Sequence, residues 1–108
     1  MAAPPWPPAA PILYVDVATT GDTVCVRLTG ELDLSSAEQV RRAVTASGGS
    51  RVVVDLTGCT FMDAAGLTSL LDRRRALQAR GQEVRLEGAR GIVRRVFGIV
   101  GMDGVLDE

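Results

Sequence analysis

The sequence predicts an α/β fold, with one mixed β-sheet of four to five strands and helices mainly on one face. Three observations predict it. Short β-rich runs alternate with longer runs of helical period, in the order β-β-α-β-α-β-α. The first two β runs are joined by the turn signal Thr20-Gly21-Asp22, which reads as an antiparallel hairpin. The later strand-helix-strand units favour parallel neighbours joined by right-handed crossovers. At 108 residues the chain is the size of one domain with one hydrophobic core.

Residues 1–11 hold all five prolines and are expected to form an extended or disordered tail, leaving 12–108 as the single domain. Trp6 gives that tail only a faint likeness to a proline-rich ligand. Ile12 to Ala18 reads as the first strand. Thr23 to Thr29 alternates, with Val24, Val26 and Leu28 on one side and Cys25, Arg27 and Thr29 on the other, as a half-buried strand does. Gly30-Glu31-Leu32-Asp33-Leu34 ends it. Ser35 or Ser36 is the expected cap of a helix that repeats Ala37, Val40, Ala43, Val44 and Ser47 and stops at Gly48-Gly49.

Arg51 to Leu56 contains Val52-Val53-Val54, apolar on both faces, and so reads as a central strand covered on two sides. Thr57 to Met62 reads as a loop, and Asp63 as the N-cap of a helix from Ala64 to about Arg80 that Gly81 ends. Its stripe is Leu67, Leu70, Leu71, Arg74 and Leu77. Arg73-Arg74-Arg75 interrupts that stripe with solvated heads on apolar stems. Glu83 to Glu87 is a short strand. Ile92, Val93, Val96, Phe97 and Val100 mark a third helix closed by Gly101, and the tail Met102 to Glu108 holds little beyond Val105-Leu106.

Composition removes whole classes of function. Twelve basic residues against 13 acidic ones argue against a broad grip on nucleic acid or anionic lipid. All the basic residues are Arg, and His is absent, which removes the commonest general base and metal ligand. Only Cys25 and Cys59 remain as soft ligands, without CxxC spacing, and both read as reduced thiols of a cytoplasmic protein. There is no Ser-His-Asp or Cys-His set and no P-loop. Asp33 and Asp63 are the carboxylate pair to weigh for acid–base work, though each reads more simply as a cap or loop acceptor. Gly88-Ala89-Arg90-Gly91 is a turn with a weak claim on phosphate. No apolar run approaches the roughly 18 residues of a membrane span, and the N-terminus lacks the order of a secretory signal. The expectation is a binding protein rather than an enzyme, with no cofactor, no metal, no nucleic acid and no membrane insertion.

The informative segment is Val52 to Leu71, VVVDLTGCTFMDAAGLTSLL. A strand delivers the chain to Phe61 and Met62, Asp63 caps a helix, and Ala64, Ala65 and Gly66 leave its first turn bare. A bare first turn admits a partner close to the backbone, and its unpaired N–H groups favour a negative group.

Phe61-Met62-Asp63-Ala64-Ala65-Gly66-Leu67 resembles the F-[ML]-D-S-[ST]-G-L signature of STAS domains, in particular the small bacterial anti-sigma-factor antagonists. Gly30-Glu31-Leu32-Asp33, followed by Ser36-Ala37, is similar to the G-E-[LI]-D motif and helix start of that family. Phe97-Gly98-Ile99-Val100-Gly101-Met102 is an approximate counterpart of its closing T-G-L. The resemblance covers about Leu13 to Leu106 and implies a STAS-like fold and a partner switch. An antagonist of this kind binds a serine-kinase-type anti-sigma factor and so frees a sigma factor. Phosphorylation of the Ser after the motif's Asp ends the binding. By position, the implied partner-binding residues are Asp33, Phe61, Met62, Asp63, Ala64, Ala65, Gly66, Leu67 and Thr68. Self-association into a homodimer is a further partner to consider.

The departure from the pattern sets the mechanism. The phosphoacceptor position is Ala64 and the neighbouring hydroxyl position is Ala65. Alanine carries no oxygen, so the domain is expected to behave as a permanently unphosphorylated antagonist. The pair reads as a natural constitutive variant, as an engineered lock, or as the mark of a domain that left the switch for a scaffold. Thr60, Thr68 and Ser69 are nearby hydroxyls and alternative phosphosites. The competing reading is a scaffold or accessory subunit of a signalling or transporter assembly.

Overall fold

The computed structural model describes residues 12–45 and 48–107. The expectations for the proline-rich residues 1–11 and for Ser47 lie outside them. Four strands and three helices follow one another as β1 (Leu13–Thr20), β2 (Thr23–Leu32), α1 (Leu34–Thr45), β3 (Arg51–Met62), α2 (Ala64–Ala79), β4 (Glu83–Glu87) and α3 (Gly91–Ile99). A short 3-10 helix, Asp103–Val105, follows α3. The sheet order is β1-β2-β3-β4, with β1 antiparallel to β2 and the other pairs parallel.

Both crossovers, β2-α1-β3 and β3-α2-β4, step across the sheet in the same direction. Right-handed connections therefore place α1 and α2 on the same face, where they pack against each other. Under them lie Val24, Val26 and Leu28 of β2, Val52, Val54 and Leu56 of β3, and Val84 and Leu86 of β4, all buried. Val40 and Val44 of α1 and Leu67, Leu70 and Leu77 of α2 close the layer from above, and α3 adds Val93 and Phe97.

The other face has no helix among the described residues. β3 is central in the sheet, yet Val53 is only half-buried, so the expected cover on two sides is not there. That face carries rows of paired charges. Arg27 meets Asp55 at 3.3 Å, Arg51 meets Glu83 at 3.1 Å and Arg85 meets Glu87 at 2.8 Å. At such exposure each pair stabilises weakly, and the row serves mainly to keep the face wet.

A second correction concerns Thr57 to Met62, which is not a loop but the second half of β3. β2 runs alongside it as far as the pair Leu32↔Met62, so its backbone has a hydrogen-bonding partner. The register shifts between Arg27/Thr29 and again between Gly30/Glu31, each time with one extra residue on β3. Buried positions on β3 consequently run Val52, Val54, Leu56, Cys59, Met62. The two steps of three break the period of two that a strand should show. Gly58 marks the first bulge, where a Cβ would come 3.0 Å from Thr29 Oγ1. Cys59 is accordingly a buried strand residue, and burial pushes its thiol pKa up.

The C-terminal tail does more than its sequence suggested. The Asp107 N–H donates to the Leu86 carbonyl at 2.7 Å, and its carboxylate accepts from the Leu86 N–H at 3.0 Å. Asp107 thus bridges to the end of β4 in parallel and satisfies that edge of the sheet at Leu86. Met102, Val105 and Leu106 pack against the core on the way.

Candidate functional site

The site is built by two parallel strands that end side by side. Glu31 pairs with Phe61 and Leu32 with Met62, and each strand then turns at an aspartate into a helix. The starts of α1 and α2 are therefore neighbours at one rim of the sheet. The Asp63 N–H donates to the Leu32 carbonyl at 3.3 Å and ties the two turns together.

Asp33, not Ser35 or Ser36, caps α1. Its Oδ1 accepts from the Ser35 N–H at 2.9 Å, the Ser36 N–H at 3.2 Å and the Ser35 hydroxyl at 2.7 Å. Ser36 is buried and reciprocates: its Oγ accepts from the Asp33 N–H at 3.0 Å and donates to the Glu31 carbonyl at 2.9 Å. The Ser35 hydroxyl, followed by the backbone donors, holds the Asp33 carboxyl below its ordinary pKa. Asp63 caps α2, with Oδ1 accepting from the Gly66 N–H at 2.8 Å. Each carboxylate is committed to its own helix, which favours the cap over the acid–base reading of the pair. Replacement of Asp63 by Ala is expected to cost about 1 kcal/mol of stability, read by chemical denaturation.

The two glycines of the motifs have steric reasons. A Cβ on Gly66 would lie 2.3 Å from the Leu32 carbonyl oxygen. Gly30 has φ +114°, and a Cβ there would lie 2.2 Å from the Ile12 carbonyl oxygen.

Burial divides the residues singled out from the sequence. Met62, Gly66 and Leu67 are buried and form the support from beneath, so the first turn is bare only in part. Asp33, Asp63 and Ala65 are half-buried. Ala64 and Thr68 are exposed, and Phe61 keeps 39% of its surface in water. Thr60 is exposed, with its hydroxyl on the Gly30 carbonyl at 3.3 Å, and Ser69 is half-buried.

Between the two helix starts runs an open groove of about 520 Å³. Leu34, Ala37, Ala64 and Ala65 give it apolar walls, and Thr68 with Asp72 gives it a polar end. Leu34, missed from the sequence, is 77% exposed and is the most exposed large apolar side chain among the described residues. Its position after Asp33 reads as the end of a strand, whereas it is the first residue of α1. Leu34 extends the apolar wall that Ala37, Ala64 and Ala65 give the groove.

The family described as Mlab, STAS domain matches residues 15–107. The chain belongs to the STAS domain family. This STAS domain is 33% identical over 87 residues to an anti-sigma F factor antagonist of Lysinibacillus sphaericus, covering 77% of this chain and 74% of that protein. Among solved structures it is similar to the anti-sigma factor antagonist SpoIIAA in its unphosphorylated form, with TM-score 0.72, 27% identity and coverage of 87% and 86% of the two chains. The phosphorylated form of the Bacillus SpoIIAA matches with TM-score 0.69, 26% identity and coverage of 87% and 89%. An anti-sigma factor antagonist of Mycobacterium paratuberculosis shares the fold at TM-score 0.77, 24% identity and coverage of 91% and 86%. The mixed four-stranded sheet of this STAS domain is thus the fold of SpoIIAA, and the relatives named above are anti-sigma factor antagonists.

Proposed function

We propose that this STAS domain is a cytoplasmic anti-sigma-factor antagonist that binds a serine-kinase-type anti-sigma factor and lacks the phosphorylation switch. The observation that carries the reading is the exposed Ala64 methyl at the first position of α2, where the family pattern places a phosphorylated Ser. The contact surface comprises Phe61, Ala64 and Thr68, with Asp33, Asp63 and Ala65 at the rim and Met62, Gly66 and Leu67 packed below. The domain itself catalyses nothing; it acts by occupying the partner.

A phosphoryl group adds about −1.5 to −2 charge. Within a desolvated interface such a charge without a counter-charge costs about 2–5 kcal/mol. At about 1.4 kcal/mol per decade, that is one to several decades of affinity. With a methyl at position 64, no such loss can be triggered there.

The test is a titration of the domain into a kinase-type anti-sigma factor with and without a hydrolysable nucleoside triphosphate. The affinity of the native domain is expected to be the same in both. The Ala64→Ser variant is expected to gain one phosphoryl group in the mass spectrum and to lose affinity with it. Loss of affinity by the native domain, with a phosphoryl group on Thr60, Thr68 or Ser69, would mean that the switch has moved. Copurification with a membrane ATPase in place of a kinase-fold protein would assign the domain to an accessory role.

A further inference from the structure

We infer that this chain forms a two-fold dimer by antiparallel pairing of β1 with β1 of a second copy, centred on Val17. The two edges of the sheet are treated differently. At the β4 edge, Asp107 takes the Leu86 carbonyl with its backbone and the Leu86 N–H with its carboxylate. At the β1 edge, no described strand or bridge pairs with the outer side.

The direction of the β1 backbone groups follows from one bond. The Glu31 N–H donates to the Ile12 carbonyl at 2.7 Å across the hairpin. In an antiparallel ladder, bonded pairs alternate. The register Tyr14↔Thr29, Asp16↔Arg27, Ala18↔Cys25 therefore turns the even-numbered residues toward β2 and the odd-numbered ones outward. The outward set is Leu13, Val15, Val17 and Thr19. The Leu13 carbonyl is taken by Gln39 Nε2 at 3.1 Å, which agrees with its outward direction. Val15, Val17 and Thr19 are left with both an N–H and a C=O to give.

Apart from the single carboxylate of Asp16, the devices that blunt an edge are missing from β1. It has eight residues, no proline, no Lys or Arg, and a register with β2 that runs without a shift from Leu13 to Thr20. The chain's own residues 1–11 are poor filler for it, because five of them are prolines with no N–H to donate.

Self-complementarity selects a second copy as the occupant. A two-fold axis normal to the sheet through Val17 sets Val17 against the partner's Val17 and Val15 against the partner's Thr19. All three outward residues of each copy are then bonded, and Leu13 is left to Gln39. Asp16 falls opposite the partner's Ala18, and Tyr14 opposite the partner's Thr20. An axis through Asp16 instead would set two carboxylates against each other and leave Thr19 to compete for Leu13. The Val17 side chain, 50% exposed on the helix-covered face, would be covered by its symmetry mate. The result is one continuous eight-stranded sheet, and because each copy uses its open edge once, assembly stops at two.

The test uses sedimentation velocity and light scattering on the full chain across a wide concentration range. The native chain is expected to run as a concentration-dependent dimer. Val17→Arg and Val17→Asp, each placing like charges at the axis, are expected to raise the dissociation constant at least tenfold while leaving the circular dichroism of the monomer unchanged. An equimolar mixture of the two variants is expected to recover the dimer, which no loss of folding can imitate. A native chain that stays monomeric, a dimer indifferent to both substitutions, a mixture that fails to recover, or growth beyond two copies overturns the proposal.

Discussion

Replacement of Ala64 by Asp is expected to weaken the complex with the anti-sigma factor at least tenfold while leaving the fold intact. The residue is the first of α2 and is exposed, so no core contact is lost. A carboxylate at a helix start even interacts favourably with the helix dipole, by about 0.3–1 kcal/mol. Thermal stability should therefore hold or rise slightly as affinity falls. This opposition of signs identifies position 64 as contact surface, since a merely disruptive substitution would lower both. The control is Ala64→Gly, which removes the methyl without adding charge and should change affinity far less. Calorimetric titration reads the affinity and a thermal melt reads the stability. An Ala64→Asp complex of native affinity would sink the functional reading, because it would place the interface elsewhere.

Two glycine-to-alanine substitutions are expected to move stability in opposite directions. On propensity alone, each should gain up to about 1 kcal/mol within a helix. At Gly66 the new methyl would stand 2.3 Å from the Leu32 carbonyl oxygen and 2.8 Å from its carbon. Both are backbone atoms of the adjacent strand, so neither can swing away as a side chain would. Overpacking of this kind costs about 1–3 kcal/mol or more, which outweighs the gain. In a domain of this size the melting temperature should fall by about 5–15 °C. At Gly98, near the end of α3, nothing lies within 4 Å of the added atom. There the propensity term acts alone, and Gly98→Ala should stabilise by about 0.5 kcal/mol. A rise in melting temperature for Gly66→Ala would contradict the close approach of the two strand ends.

Much of the architecture was legible in the sequence because most elements obey a simple period. Val24, Val26 and Leu28 alternate, Leu67, Leu70 and Leu77 fall on one helical face, and Gly81 stops α2 where expected. The second half of β3 was not legible. Two bulges, one at Leu56–Thr57 just before Gly58 and one at Thr60, mean that its inward residues no longer fall two apart, and Gly58 read alone signals a turn. Whether Val53 is covered was also beyond the sequence, because an apolar residue on an open face looks the same as one beneath a helix. At the site, the small residues and Asp63 were visible through motif chemistry. Leu34 was not, since its exposure depends on which aspartate or serine caps α1, and the polar residues around it, Asp33, Ser35 and Ser36, all qualify as caps.

The rim that carries the site is tied down before any partner arrives. Asp33 and Asp63 each clamp a helix start, Ser36 links the first to β2, and the Asp63 N–H joins the second to Leu32. Little backbone freedom remains there to be lost on contact, so association should resemble the meeting of two preformed shapes. Variants along the rim should then alter how long a complex lasts far more than how quickly it assembles.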